Sequence, residues 1–441
     1  MNHKLKLVAS AFSMLSLLGT SGLQGQNTRA ITLQEAIDLS ITNSHLLKNN
    51  AAKIDEAVAA VKEANERKLP DFKISGSWLY LPITPNISLK TNSNNSGGSN
   101  PTVSQAMYST TGISLPLFTA GKLDYGIQSA KYLEQAARLD ADENKEAVIF
   151  NSISAFSNLY KARAAVYLVK ESLEQSNQRV RDFSNLEKNG LLARNDLLKA
   201  ELQSSNIELT LLDAENNLKL ASVNMALMLG LPEQTILLPD SASLIKTTKA
   251  KQMEEYEQQA LLGRKEISSL SLHKKIAALG VQSVKTDYYP TVALTAGYIA
   301  ANIPGFLTIT NAVNLGLGVT YNLSSIWKTK TKLAQAGARV QQITASELML
   351  SDHIRLEVNE AYQGYLLSQK KIAVYQKAVE QATENFRIIK NKYNNTLATA
   401  TDLLDADIAQ LQTRLMLVGA SADAVVAFNK LLQTAGILIT Q

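Results

Sequence analysis

Four segments of this chain alternate apolar residues with small or polar ones, while the long stretches around them space apolar residues by three and four. Phe72, Ile74, Trp78 and Tyr80 fall on one side of the first segment, with Lys73, Ser75 and Ser77 on the other. Ile113, Leu115 and Leu117 alternate with Gly112 and Ser114, and Val292, Leu294 and Tyr298 with Thr291 and Thr295. Val313, Leu315, Leu317, Val319 and Tyr321 alternate with Asn314, Gly316, Gly318 and Thr320. A period of two predicts strands over about 71–82, 107–118, 291–301 and 311–323. Each is about ten residues long, the length a tilted strand needs to cross a bilayer.

The rest reads as helix. From Ala120 to about Lys188 there is no proline, and glycine occurs only at Gly121 and Gly126. Such a helix is roughly 100 Å long. Trp327 to about Asn394 repeats it, with Ile372, Tyr375, Val379, Ala382, Phe386, Ile389 and Tyr393 stepping by three and four. The same spacing resumes at Leu404, Ile408, Leu411, Leu415, Val418, Ala422 and Val425. These two runs predict antiparallel arms of a coiled coil. The matching stripe of the first half is weaker, with Ser205, Asn216 and Lys219 at seam positions.

The chain is also written twice. Leu173–Ala200 matches Val379–Ala406 at about ten of twenty-eight positions, including NGLLARNDLLKA (189–200) against NTLATATDLLDA (395–406). Leu69-Pro70 answers Tyr289-Pro290 at a larger offset, which puts the surplus of the first half in the polar stretch Asn92–Asn100. The predicted organisation is a signal peptide at 1–25, a first repeat at 26–231, a linker at 232–250 and a second repeat at 251–441.

Composition narrows the chemistry. Lys4 and Lys6 precede an apolar run from Leu7 to Leu18, the layout of a secretory signal peptide, and no later segment has eighteen consecutive apolar residues. The 441 residues include no cysteine, which removes disulfides, thiolate metal sites, a cysteine nucleophile and lipid attachment to an N-terminal Cys. A net charge of +5 is too weak a bias for nucleic acid. His3, His45, His273 and His353 are scattered, and no catalytic, phosphate-binding or metal-binding motif is present. The expectation is a protein that is not an enzyme and carries no cofactor or metal.

Four strands cannot close a barrel alone, and open edges are not tolerated in lipid. Copies must pool strands: two copies make eight with a plugged lumen, three make twelve with room for water. Trp78, Tyr80, Tyr288, Tyr289, Tyr298, Tyr321 and Trp327, within or at the ends of the strands, suit a membrane-interface girdle. A small soluble sheet is the alternative.

Several local patterns, in this order within a duplication, resemble the TolC-like outer-membrane efflux proteins over almost the whole chain. Gly112–Lys122 is similar to that family's strand-to-long-helix junction, and Ala226–Pro232 to its end-of-first-half motif. Gly190-Leu191 with Asp196-Leu197-Leu198, and Leu397 with Asp402-Leu403-Leu404, are similar to its two periplasmic hairpin tips. The resemblance implies an α+β membrane protein, internally duplicated, with four transmembrane strands per chain. A homotrimer would build a twelve-stranded barrel in the outer membrane, continued into the periplasm by a helical coiled-coil tunnel. It implies as partners a periplasmic adaptor (membrane fusion) protein, an inner-membrane transporter and outer-membrane lipid.

Asp402 and Asp405 are three apart on one helix face. In a trimer each would form a ring of three carboxylates, which attracts cations, and they match the family's acidic entrance constriction. Alternatively Thr401 caps the helix, Asp402 complements its dipole and Asp405 is a solvated neighbour. By resemblance Asp196 and Tyr393 match parts of a lock between the tips, whose arginine would fall at Ala398, where it is missing; Arg194 is a candidate substitute. Gly190, Leu191, Thr396 and Leu397 would meet the adaptor. Glycine at 190 suits a left-handed helix end, and Thr396 predicts that the second tip turns differently. The leading expectation is a passive outer-membrane exit duct for small molecules; the alternatives are the duct of a type I protein secretion system or a periplasmic coiled-coil scaffold.

Overall fold

A computed structural model describes residues 28–83, 85, 103–240 and 250–438. The signal-peptide segment 1–25, the polar stretch 92–100 and residues 241–249 of the 232–250 linker lie outside the described residues. The chain forms two compact units, each drawn from both halves of the sequence.

One unit comprises 45–148, 250–364 and 429–441 and carries the strands foreseen from the alternation. β2 (Asp71–Tyr80), β3 (Gln105–Phe118), β5 (Thr291–Ile303) and β6 (Leu307–Thr320) form an antiparallel sheet in the order β2-β3-β5-β6. Its register aligns Phe72 with Ile113, Ile113 with Ala296 and Ala296 with Leu315. Directly opposed residues share a face, so Phe72, Ile74, Trp78, Ile113, Leu115, Leu294, Val313, Leu315 and Leu317 make one apolar surface across all four strands. It is uncovered: Ile74 is 80% and Leu315 75% exposed. Lys73, Ser75, Ser114, Thr295, Gly297, Asn314 and Gly316 make the other face. The β5–β6 hairpin closes through Pro304-Gly305, with Gly305 at φ 76° and the Phe306 N–H donating to the Ile303 carbonyl, a type II turn. Pro116, lacking an N–H, sits beside the irregularity in the β3–β5 register. Each strand of the middle pair has two neighbours, but β2 and β6 each keep one edge open.

The helical part of this unit includes α2 (His45–Glu66), α5 (Met253–Gly263), α6 (Lys265–Lys285) and segments of α3 (Lys122–Lys188), α7 (Ser325–Asn394) and α8 (Ala400–Thr434). Tyr256, Leu272, Ile354, Val358 and Leu431 are among its buried side chains. Arg264, between α5 and α6, bridges Glu266 at 2.7 Å and Glu357 at 2.5 Å.

The other unit comprises 1–44, 149–249 and 365–428. Here the reading that everything beyond four strands is helical needs correcting. β1 (Thr28–Ile31) and β4 (Ile236–Pro239) pair in parallel, and β4 lies in the segment expected to be a linker. Both strands are four residues long, too short for a periodic signal. They are held by burial instead: Ile31 and Leu237 join Phe156, Leu159, Met225 and Leu229 in one core beside α1 (Leu33–Asn43) and α4 (Arg194–Leu229). Gly230 ends α4 at φ 68°, where an added Cβ would stand 2.9 Å from Asn43 Cγ. The Asn43 amide donates to the Leu229 carbonyl at 2.8 Å, so this helix end is satisfied by a side chain from α1.

α8 is long and apolar enough to cross a membrane by length and composition alone. Its apolar residues are used in helix packing, with Leu403, Leu404, Ala420, Ala422, Leu431 and Leu432 buried.

Candidate functional site

The two hairpin tips carry the residues singled out for function. α3 ends at Lys188; Gly190 adopts φ 70°, its N–H donates to the Glu187 carbonyl, and the Leu191 N–H to the Leu186 carbonyl at 2.8 Å. α7 ends at Asn394; Thr396 adopts φ 63°, its N–H donates to the Tyr393 carbonyl, and the Leu397 N–H to the Lys392 carbonyl at 2.8 Å. Both are the same Schellman loop. The expectation that Thr396 makes the second tip turn differently is therefore wrong. The hydrogen-bond pattern holds a β-branched residue in the left-handed region, at a steric cost glycine avoids.

The repeated asparagines now have a role. The Asn189 side-chain amide donates to the Asn185 carbonyl at 2.6 Å, and the Asn395 amide to the Asn391 carbonyl at 2.8 Å. Each loop thus ends with Leu191 or Leu397, 74% and 75% exposed, at its apex.

Behind the apices, Phe183, Leu197, Ala200, Ala400, Leu403 and Leu404 form a buried cluster. Tyr393 stacks on Phe183 with ring centroids 5.6 Å apart. Burial, and then the Asp196 carboxylate, raise the pKa of the Tyr393 phenol. The duplicated Asp-Leu-Leu is used asymmetrically: Leu198 is exposed, whereas its counterpart Leu404 is buried.

Asp402 and Asp405 lie on the exposed side of α8, between the buried Leu403, Leu404 and Ala406. Asp402 accepts from the Thr399 N–H at 2.9 Å and the Thr399 hydroxyl at 2.7 Å, while its own N–H donates to that hydroxyl. This reciprocal arrangement is a capping box, so the cap is Thr399 and not Thr401. The Thr399 hydrogen bonds hold the Asp402 carboxyl below its usual range. Thr401 instead accepts from Lys199 Nζ at 3.0 Å, and Lys199 lies 3.5 Å from Asp196.

The suggested substitute for the arginine absent at Ala398 also needs correcting. Arg194 stays within its own tip, 3.9 Å from Glu187. The tie from the first hairpin to α8 is made elsewhere. Arg179 on α3 reaches Asp407 on α8 at 2.8 Å, and Gln203 on α4 donates to the Leu404 carbonyl. Asp407 stands three residues after Leu404, a charge placed beside an apolar stripe, and that was the sequence's one hint of it.

At the sheet, Trp78 and Tyr80 lie near the end of β2 remote from α3, and Trp78 Nε1 is 3.4 Å from Gln105 Oε1. Tyr321 and Trp327 lie at the helix side of β6, as do Tyr288 and Tyr289 before β5. Tyr298 differs: it pairs with Thr111 and Val313 in the body of the sheet, and its hydroxyl accepts from the Asn311 N–H. All are at least partly exposed.

The model of the family described as outer membrane efflux protein matches residues 36–231 and 257–437. The outer membrane efflux protein BepC of Brucella suis is 23% identical over 98% of this chain and 90% of its own length. Among solved structures, the outer membrane protein VceC of Vibrio cholerae superposes with a TM-score of 0.73 at 20% identity, covering 92% of this chain and 96% of VceC. The CmeC outer membrane channel of Campylobacter jejuni gives 0.74 at 15% identity, covering 95% and 91%.

Proposed function

The chain belongs to the outer membrane efflux protein family, and on that premise we propose that it works as the exit duct of a tripartite efflux system. It resides in the outer membrane and conducts small molecules passively. The observation that carries this reading is the sheet, whose apolar face is continuous and uncovered and whose two edges, β2 and β6, are both open. In the order β2-β3-β5-β6 every neighbour is antiparallel, so β2 and β6 run oppositely to each other. The β6 edge of one copy therefore accepts the β2 edge of the next in the sense used throughout the sheet. Three copies give twelve strands and a lumen with room for water. A soluble scaffold would leave this whole face in water, beyond the patches that soluble monomers expose.

The residues 26–231 and 251–441 then supply two near-equivalent staves per copy. Leu191 and Leu397, with Gly190 and Thr396, form the ends that meet a periplasmic adaptor joined to an inner-membrane transporter. Asp402 and Asp405 ring the entrance, with Asp196 and Tyr393 beside it. Trp78, Tyr80, Tyr298, Tyr321 and Trp327 contact lipid and its interfaces. The test is reconstitution: the purified protein is expected to run as a heat-resistant trimer and to give channel conductance in planar bilayers. A water-soluble monomer without conductance would overturn the reading.

A further inference from the structure

The sheet-to-helix junctions of the two halves are charged differently. At the first, α3 opens with Asp124, which takes Lys68 at 2.5 Å, and Lys122 goes to Asp287 at 2.8 Å. At the second, the first turn of α7 has no acidic residue, yet Lys328, Lys330 and Lys332 all stand near its N-terminus. Cations there oppose the helix macrodipole. Lys332 is answered by Asp287 at 2.9 Å. The Lys328 and Lys330 side chains are exposed and have no hydrogen-bond or ion-pair partner among the described residues.

Their placement on the helix is specific. Ser325 and Thr329 are buried and mark the inward side of α7. At about 100° per residue, Trp327 points away from Thr329, and Lys328 and Lys330 flank it on either side. Trp327 is 63% exposed, and Leu323 and Ile326 beside it are exposed too. They prolong the exposed apolar row of β6 that ends in Leu317, Val319 and Tyr321. An indole at the foot of a lipid-facing row, bracketed by two unanswered ammonium groups, fits the depth where acyl chains give way to phosphates.

We propose that Lys328 and Lys330, with Trp327 between them, seat anionic phospholipid headgroups of the outer-membrane leaflet on the helical side of the sheet. The apolar row takes the acyl chains and the ammonium groups take the phosphates. The inference rests on the outer-membrane reading above.

The test is native mass spectrometry of the detergent-solubilised full-length assembly, titrated with phosphatidylglycerol or phosphatidylethanolamine. The wild type should retain phosphatidylglycerol in preference, and added salt should erase the preference. Lys328→Gln with Lys330→Gln should lower the apparent phosphatidylglycerol affinity by roughly tenfold or more, from about 1 kcal/mol per basic residue near an anionic surface. Lys328→Arg with Lys330→Arg should keep it. Equal retention of both lipids, displacement by millimolar inorganic phosphate, or unchanged affinity in the Gln variant (as expected if a neighbouring copy's carboxylates neutralise the lysines) would overturn the proposal. Conductance of the same preparation in planar bilayers separates the two failures. A conducting protein without lipid preference sinks only the headgroup seat, and a non-conducting one sinks the duct itself.

Discussion

Arg179 Nη1 on α3 donates to Asp407 Oδ2 on α8 at 2.8 Å, and the two side chains are only 11% and 4% exposed. Two opposite charges out of water are held in one geometry, and each depends on the other because neither has solvent to fall back on. This pair, with Lys199 on Thr401, links the first hairpin to the second behind the tips. Asp407→Ala should destabilise the tip region by about 3 kcal/mol, since it strands a nearly buried guanidinium. Hydrogen exchange of 176–204 and 400–410 is the measurement, with faster exchange in the variant. Arg179→Met combined with Asp407→Leu should restore most of the loss, because no charge is left unpaired.

Thr396 and Gly190 occupy the same left-handed position in the same loop. Thr396→Gly should therefore stabilise by about 0.5–1 kcal/mol, the relief of left-handed strain less the added entropy of glycine. Gly190→Thr, the reverse change in the same loop, should destabilise by about the same 0.5–1 kcal/mol. Denaturant unfolding of the two variants reads both signs, and effects of the same sign would show that the loops are not equivalent.

The sheet register predicts which arginine is harmful. Leu315→Arg or Leu317→Arg places a charge on the lipid-facing side, at about 2–4 kcal/mol near the bilayer midplane. Membrane-assembled protein should fall sharply in a heat-modifiability gel. Ser114→Lys, on the opposite face, should assemble normally.

Glu143 on α3 faces Glu266 and Arg264, with Asp140 on its own helix and Glu146, Lys265 and Glu357 nearby. Burial first, then the hydrogen bond its protonated carboxyl donates to Glu266 and the charges of Glu266 and Asp140, raise its pKa to about 8. A carboxyl with a raised folded-state pKa holds its proton better folded than unfolded. Its contribution is complete below the unfolded value of 4.5 and is lost as pH rises to about 8. Melting temperature should decline across that window in the wild type, and the decline should be shallower in Glu143→Gln. An equal slope in both would remove Glu143 from the account.

Asp405 is exposed and outside the capping box, whereas Asp402 is part of it. Asp405→Asn should thus lower cation selectivity in single-channel reversal potentials without altering helix stability. Unchanged selectivity would leave Asp405 a solvated surface charge.

The strands, the long helices and the duplication were legible because each is written in local spacing. Period two marked the lipid-facing rows within a few residues of their observed ends, and the repeated Asn-x-Leu and Asp-Leu-Leu marked both tips. What local spacing does not carry has separate physical causes. β1 and β4 are too short to show a period, and pair across more than two hundred residues. Thr399 and Thr401 both suit a cap by residue type, and only geometry says which one accepts the N–H. At Thr396 the loop's hydrogen-bond pattern overrides side-chain propensity.

By itself, then, the sequence determined the element types, their order and the duplication, since backbone period and turn chemistry act over a few residues. Only the tertiary structure decided the strand order, the single apolar face running across both halves, and the partner of each charge. Arg179 and Asp407 are 228 positions apart. No periodicity links such residues, and whether a charge is buried and answered depends on what the folded chain brings beside it.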